Sequence, residues 1–214
     1  MNILITGASK GLGNAIANEL RSIGEIYVTG RDENALIARK ANGFCVCDLS
    51  KDVSRLVEFI EKNHIDVLIN NAGEYLYHNI ENITVEELQR IYQTNLLAPT
   101  YLISKAVPYM KSKKWGRIIN IGSISGVMGE AYASLYSASK AGLLGLSKAL
   151  ALELAEYKIT VNTINPGWVE TELGKSSIDE SEFSQEEILE SIPQKRFVQP
   201  IEISKLDKYL IPDE

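Results

Sequence analysis

The sequence predicts an α/β fold, a parallel sheet covered by helices on both faces in three α/β/α layers. Three observations carry this expectation. Short β-rich runs alternate with helical stretches along nearly the whole chain, the rhythm of repeated βαβ units. A Gly-rich turn, Thr6-Gly7-Ala8-Ser9-Lys10-Gly11-Leu12-Gly13, joins the first run to the first helical stretch, and with right-handed crossovers it favours a doubly wound sheet in the order 3-2-1-4-5-6. The 214 residues, 45% of them hydrophobic and 23% charged, suit one domain with a sizeable core.

The elements follow in order. Residues 3–6 form a compact apolar strand, and 11–23 a helix with Ile16 and Leu20 four apart on one face. Strand 2 spans 25–29, followed by a short helix over 32–40 that Asp32 can cap. Strand 3 covers 43–47, a helix 53–63, and strand 4 the run Ile65-Asp66-Val67-Leu68-Ile69-Asn70. Helices are expected over 85–95 and 99–111, strand 5 over 117–121, a long helix over 135–157 and strand 6 over 159–164. Leu143, Leu144, Leu146, Ala149, Leu150, Leu152 and Leu154 leave the long helix apolar around most of its circumference. Such a helix is buried on more than one side, which points to a second subunit. Residues 173–196 are acidic and Ser-rich, lack strand character and carry a short helical piece near 186–190. They are expected to form a mobile segment beside the site. No linker or solenoid repeat divides the chain.

Composition excludes several classes. A net charge of −6 argues against nucleic acid, which needs a basic footprint. No apolar run approaches the roughly 18–20 residues of a membrane helix. Met1-Asn2-Ile3-Leu4-Ile5 has no basic region before its apolar run and reads as a strand rather than a signal peptide. Cys45 and Cys47 sit two apart on one strand face and read as buried free thiols. His64 and His78 stand at no recognised ligand spacing, so no metal is expected. A cytoplasmic location follows from the cysteine usage.

The first turn is a candidate phosphate cradle. Its glycines let the backbone turn and let a pyrophosphate approach, and the next helix presents free N–H groups and a positive dipole end. The spacing is G-x-x-x-G-x-G rather than G-x-G-x-x-G. In this the sequence resembles the short-chain dehydrogenase/reductase family, and the resemblance runs from Ile3 to about Ile211. It implies a Rossmann-like fold, a nicotinamide cofactor held by Gly7, Ser9, Lys10, Gly11, Leu12 and Gly13, and a small carbonyl or alcohol substrate. Strand 2 ends Thr29-Gly30-Arg31, with Gly30 where an NAD enzyme places an acid for the ribose 2′-OH. Arg31 and Lys10 suit a 2′-phosphate, so NADP(H) is expected over NAD(H). Asp32 can reach a ribose hydroxyl or cap its helix. The resemblance puts Asp48 and Leu49 at the adenine; on its own Asp48 reads equally well as a turn residue.

Strand 4 ends Asn70-Asn71-Ala72-Gly73, and the long helix begins with Tyr136-Ser137-Ala138-Ser139-Lys140. Tyr136 and Lys140, four apart, share a helix face. A phenol titrates near about 10 in water, and a neighbouring ammonium is expected to lower that value. Ser123, thirteen residues upstream of Tyr136, follows a parallel strand at its carboxyl end, where such folds bind ligands, and can hydrogen-bond a substrate oxygen. A lone Y-x-x-x-K is common on helices; its company with Ser123, the N-N-A-G turn and the glycine loop gives it meaning. The resemblance implies that Asn71, Ala72 and Gly73 pass the cofactor ribose and that Lys140 also bonds the nicotinamide ribose. It implies that Asn95 supports a water-linked proton relay, and that Pro166, Gly167, Val169 and Thr171 cover the nicotinamide. Trp168 either shields the ring or packs in the core.

The sequence departs from the family after Lys208-Tyr209-Leu210-Ile211-Pro212-Asp213-Glu214, where members continue into a seventh strand. Strand 6 is then an edge, and the tetramer contact which that region often builds is in doubt. A homodimer through 99–111 and 135–157 remains the expected assembly. The nearest likeness is to 3-oxoacyl-(acyl-carrier-protein) reductase-like members, which makes a 3-oxoacyl thioester a candidate substrate. Lys111, Lys113 and Lys114 can meet an acidic carrier protein or form a solvated turn. The competing function is a non-catalytic NADP-binding regulator on the same fold.

Overall fold

The computed structural model describes residues 1–180 and 184–212. The strands β1 (Asn2–Thr6), β2 (Glu25–Gly30), β3 (Gly43–Val46), β4 (Val67–Asn70), β5 (Gly116–Ile121) and β6 (Ile159–Ile164) form one sheet in the order β3-β2-β1-β4-β5-β6. Every pairing is parallel, with Ile3 opposite Ile26 and Val67, and Ile69 opposite Ile119. The order matches the sequence expectation, and β6 is an edge strand among the described residues.

Alternation along β1 splits the core in two. Leu4 points to the face covered by α3 (Ser54–Asn63), α5 (Ala98–Lys113) and α7 (Ser134–Leu154), with Leu56, Leu102 and Leu154. Ile3 and Ile5 point to the other face, with Ile16 and Leu20 of α1 (Gly11–Leu20), Leu36 of α2 (Glu33–Ala38) and Ile203 of α10 (Pro200–Tyr209). Both cores are closed to solvent; burying such a side chain stabilises by about 1.5–3 kcal/mol. A buried polar chain fixes α7 against the sheet: Asn70 Nδ2 donates to Asn120 Oδ1 at 2.8 Å, Asn120 Nδ2 to Ser147 Oγ at 2.8 Å, and Ser147 Oγ to the Leu143 carbonyl at 2.8 Å.

The structure corrects several boundaries. The helices expected over 85–95 and 99–111 are one continuous rod: α4 (Val85–Tyr92) passes through a π-helical turn, Gln93–Leu97, into α5. Pro99 falls inside that rod just past the π-helical turn, a position where it donates no backbone hydrogen bond. The segment 173–196 is more helical than expected, with α8 (Glu172–Glu180) and α9 (Gln185–Ser191) flanking 181–183, which lie outside the described residues. α9 begins at a capping box between Ser184 and Glu187. Two helices were not anticipated, the single-turn α6 (Ser125–Met128) and α10. Asp32 does cap α2, accepting from the Ala35 N–H at 3.0 Å. Cys45 and Cys47 are free and buried, and burial raises both thiol pKa values, Cys47 to about 11. Among the described residues no His/Cys/Asp/Glu group could hold a metal, and no helix is long and apolar enough to cross a membrane.

Candidate active site

A cleft of about 1240 Å³ runs along the carboxyl ends of the strands, and it is lined by every candidate cofactor and catalytic residue except Asn95. One end lies over the glycine loop and the other over the start of α7. The loop is built to close tolerance. Gly7 has φ +66°, and a Cβ there would sit 2.8 Å from the Ala72 Cα. A Cβ on Gly13 would meet the Gly7 carbonyl at 2.4 Å and Asn71 Nδ2 at 2.5 Å. Asn71 Nδ2 in turn donates to the Thr6 and Gly7 carbonyls at 2.9 and 3.2 Å. The turn after β4 therefore holds the loop after β1 in place.

The N-terminus of α1 fits an anion. Its first turn carries no acidic residue and Lys10 makes no side-chain cap, in contrast to the carboxylate-capped starts of α4 and α9. Its first N–H groups and dipole are therefore available to a phosphate. Beside it, a Cβ on Gly30 would lie 3.2 Å from Ser9 Oγ, so a larger side chain there would crowd the loop. Arg31 is exposed and acts on Asp48. Burial pushes the Asp48 carboxyl up, but the Ser50 hydroxyl and N–H, Arg31 and Lys51 together hold it below its ordinary value. Asp48 Oδ1 accepts from Ser50 N and Oγ at 3.0 and 2.7 Å, so the turn role is realised. Lys10 is paired across the cleft mouth with Glu172 at the start of α8.

At the other end Ser123, Tyr136 and Lys140 converge. Lys140 is buried and donates to the Ile121 carbonyl at 2.7 Å. Burial brings its pKa down to about 8. Its Nζ lies 5.7 Å from the centroid of the Tyr136 ring. The expected ammonium-driven drop in the Tyr136 pKa is not what the structure shows. Burial raises the phenol above its ordinary value, the Ser123 hydrogen bond opposes this, and the Glu130 carboxylate adds to the rise. Desolvation wins because Lys140 spends its charge on a carbonyl rather than on the phenol oxygen.

Asn95 lies in the π-helical turn, buried, with Nδ2 donating to the Glu74 carbonyl at 2.8 Å and to Ser139 Oγ at 3.1 Å. Its Oδ1 accepts from the Glu74 N–H at 2.8 Å. A Cβ on Gly73 would be 3.3 Å from Lys140 Nζ and 3.5 Å from Asn95 Oδ1, so both groups approach the same backbone. Single-turn π-bulges of this kind are frequent at functional sites. Pro166 and Gly167 follow β6, tied to the serine loop by the Ile124 N–H bond to the Pro166 carbonyl at 2.9 Å. Thr171 Oγ1 accepts from the Gly174 N–H at 3.1 Å, and Val169 forms a bridge with Val198. Trp168 lines the cleft, with its ring 6.5 Å from Phe197, and belongs to neither core cluster.

Sequence reasoning missed three residues here. Glu130 accepts from the Tyr75 hydroxyl at 2.7 Å and from Ser125 Oγ at 2.6 Å, and Ser123 Oγ bonds Ser125 Oγ at 3.1 Å. The Tyr75 ring meets the Tyr136 ring edge-on at 5.1 Å. Burial, then Glu130, pushes the Tyr75 phenol far up. No motif marks these residues; only their joint position between β4, α6 and α7 does.

The likeness to known proteins agrees with this geometry. A family model described as short chain dehydrogenase matches residues 1–182. The chain is 34% identical to a D-beta-hydroxybutyrate dehydrogenase of Rhizobium meliloti, covering 99% of this chain and 91% of that one. It is 36% identical to the 3-oxoacyl-(acyl-carrier-protein) reductase FabG of Escherichia coli, covering 99% and 89%. Among solved structures, a variant of actinorhodin polyketide ketoreductase with NADPH superposes with a TM-score of 0.88 at 32% identity, covering 99% and 90%. Levodione reductase superposes with a TM-score of 0.92 at 26% identity, covering 99% and 90%.

Proposed function

The chain belongs to the short-chain dehydrogenase family, an oxidoreductase acting on CH–OH and C=O groups, and from that premise we propose that it uses NADP(H), with Tyr136 as proton donor and acceptor. The observation that carries this reading is the convergence of Ser123, Tyr136 and Lys140 in the same cleft as the glycine loop. The bound dinucleotide supplies or takes up the hydride. Gly7, Ser9, Gly11, Leu12 and Gly13 hold its pyrophosphate on the α1 N-terminus. Asp48 and Leu49 flank its adenine, and Asn71, Ala72 and Gly73 its ribose. Pro166, Gly167, Val169 and Thr171 cover its nicotinamide end. Arg31 and Lys10 supply cations for a 2′-phosphate, and Gly30 supplies no acid to repel it. Relatives support this choice, since solved neighbours carry NADPH or NADP.

In this reading Ser123 hydrogen-bonds the substrate oxygen and Tyr136 gives it a proton as the carbonyl is reduced. Lys140 holds the ribose, and Asn95 orders the route by which the phenol regains its proton. A phenol raised by burial keeps its proton at neutral pH, the form that donates to a substrate oxygen. The names of the relatives suggest two substrate classes, a 3-oxoacyl thioester and a small 3-hydroxy acid. We also place a homodimer contact on α5 and α7, whose Leu97 flank, Tyr101 and Leu152 are exposed; gel filtration at twice the chain mass checks it, and a monomer refutes it. The functional test is NADPH and NADH oxidation against acetoacetyl thioesters, diketones, quinones and sugar ketones. Turnover with NADPH is expected. Tight NADPH binding with no turnover on any of them favours the regulator instead.

A further inference from the structure

We propose that Glu130 sets substrate charge, selecting compounds uncharged around the reacting carbonyl and excluding 3-oxo or 3-hydroxy acids with a free carboxylate there. The inference rests on the enzymatic reading above and decides between its two substrate classes. Glu130 lines the cleft beside Ser123 and Tyr136. Its two oxygens accept from the Tyr75 and Ser125 hydroxyls, the pattern of an ionised, acceptor-only carboxylate. Ser125 links it to Ser123, one hydroxyl from the substrate oxygen. The same carboxylate disfavours negative charge on the Tyr136 oxygen, so its field reaches the reacting position.

Among the described residues no cation pairs with Glu130, and Lys140 is the only one that lines this end of the cleft. Among the described residues lining the cleft, the basic side chains are Lys10, Arg31 and Lys140. Lys10 and Arg31 lie over the glycine loop and the end of β2, at the far end of the cleft, and Lys10 is paired with Glu172. Lys140 is buried, with its ammonium on the Ile121 carbonyl. The other carboxylates near the chemistry are engaged elsewhere: Glu74 pairs with Arg90 at 3.1 Å, and Glu187 caps α9. A substrate carboxylate beside the carbonyl would meet the Glu130 carboxylate at short range and, among the described residues, only the buried Lys140 as a cation. A thioester or ester presents only acceptors and no net charge. At the dielectric of a protein cleft, one like charge several ångströms away is worth a factor of about ten or more.

The test compares acetoacetate with methyl acetoacetate, nearly equal in size and different in charge, using NADPH, wild type, Glu130→Gln and Glu130→Asp. The readout is how the ratio of their kcat/KM values changes between proteins, which cancels the intrinsic reactivity of each ketone. Glu130→Gln is expected to raise acetoacetate relative to the ester by about tenfold, while Glu130→Asp keeps the wild-type ratio. An unchanged ratio in Glu130→Gln overturns the proposal. If neither compound is reduced, the enzymatic reading is decided separately by the panel of thioesters, diketones, quinones and sugar ketones. Calorimetric binding of the two compounds to the NADP⁺ complex then gives the same comparison, and equal relative affinities in wild type and Glu130→Gln overturn the proposal.

Discussion

Asp207 offers a test of the packing that is independent of the chemistry. It lies on α10, packed along α1, with no exposed surface, and neither carboxylate oxygen has a hydrogen-bond partner. Burial pushes its pKa from 3.8 to about 8. The folded state therefore holds a proton that the unfolded chain releases, and stability falls as pH rises from about 4 to about 8, levelling above that. Each pH unit inside that window costs about 1.4 kcal/mol, so the loss between pH 5 and 8 is about 4 kcal/mol. Asp207→Asn keeps the shape and removes the titration. At pH 5 the variant should be the more stable by about 1.5 kcal/mol, because its amide is as unpartnered as the protonated acid while wild type has already begun to lose stability above about pH 4. At pH 8 it should be the more stable by about 5 kcal/mol, or roughly 10–20 °C in Tm for a chain of this size. Urea or thermal unfolding at the two pH values measures this. An Asn-minus-wild-type difference that does not change with pH would refute the claim that this carboxyl is buried and unpaired.

Three further outcomes follow from the geometry. Gly13→Ala should cost at least tenfold in NADPH affinity by fluorescence titration, because its Cβ would lie 2.4 Å from the Gly7 carbonyl; undiminished binding would mean that the loop tolerates opening. Arg31→Ala should lower kcat/KM with NADPH by about tenfold or more and leave NADH nearly unchanged, since a charge-assisted phosphate contact contributes about 1.5–3 kcal/mol; equal losses with both cofactors would count against a 2′-phosphate site. The kcat/KM for carbonyl reduction, which reports free-enzyme ionisations, should hold at neutral pH. It should fall as pH passes about 8, where Lys140 loses its proton; a profile flat to pH 10 would contradict that assignment.

Much of this architecture is legible in the sequence, for identifiable reasons. The strands are short apolar runs separated by helical periodicity, and Gly7 and Gly13 mark the first turn because a Cβ at either would strike neighbouring backbone. Tyr136 and Lys140 are readable because a helix puts positions four apart on one face. The direction of the Tyr136 shift is not readable, because it depends on burial and on Glu130, which arrive from elsewhere in the fold. The π-helical turn at Asn95 is hidden because its sequence, Gln93-Thr94-Asn95-Leu96-Leu97, carries no breaker. α6 is too short to show periodicity. α10 did leave a signal, Pro200 in the first turn and Glu202 closing a box with Gln199, which the acidic stretch before it obscured. The Tyr75–Ser125–Glu130 cluster had no linear signature at all.

The most direct measurement is NADPH-dependent carbonyl reduction by Tyr136→Phe, with NADPH binding followed by fluorescence in parallel. Phe keeps the ring against Tyr75 and removes only the hydroxyl. A proton donor of this kind contributes about 10²–10⁴-fold, so reduction should fall by that factor while NADPH still binds. Wild-type reduction by Tyr136→Phe would contradict the assignment of the proton to this tyrosine.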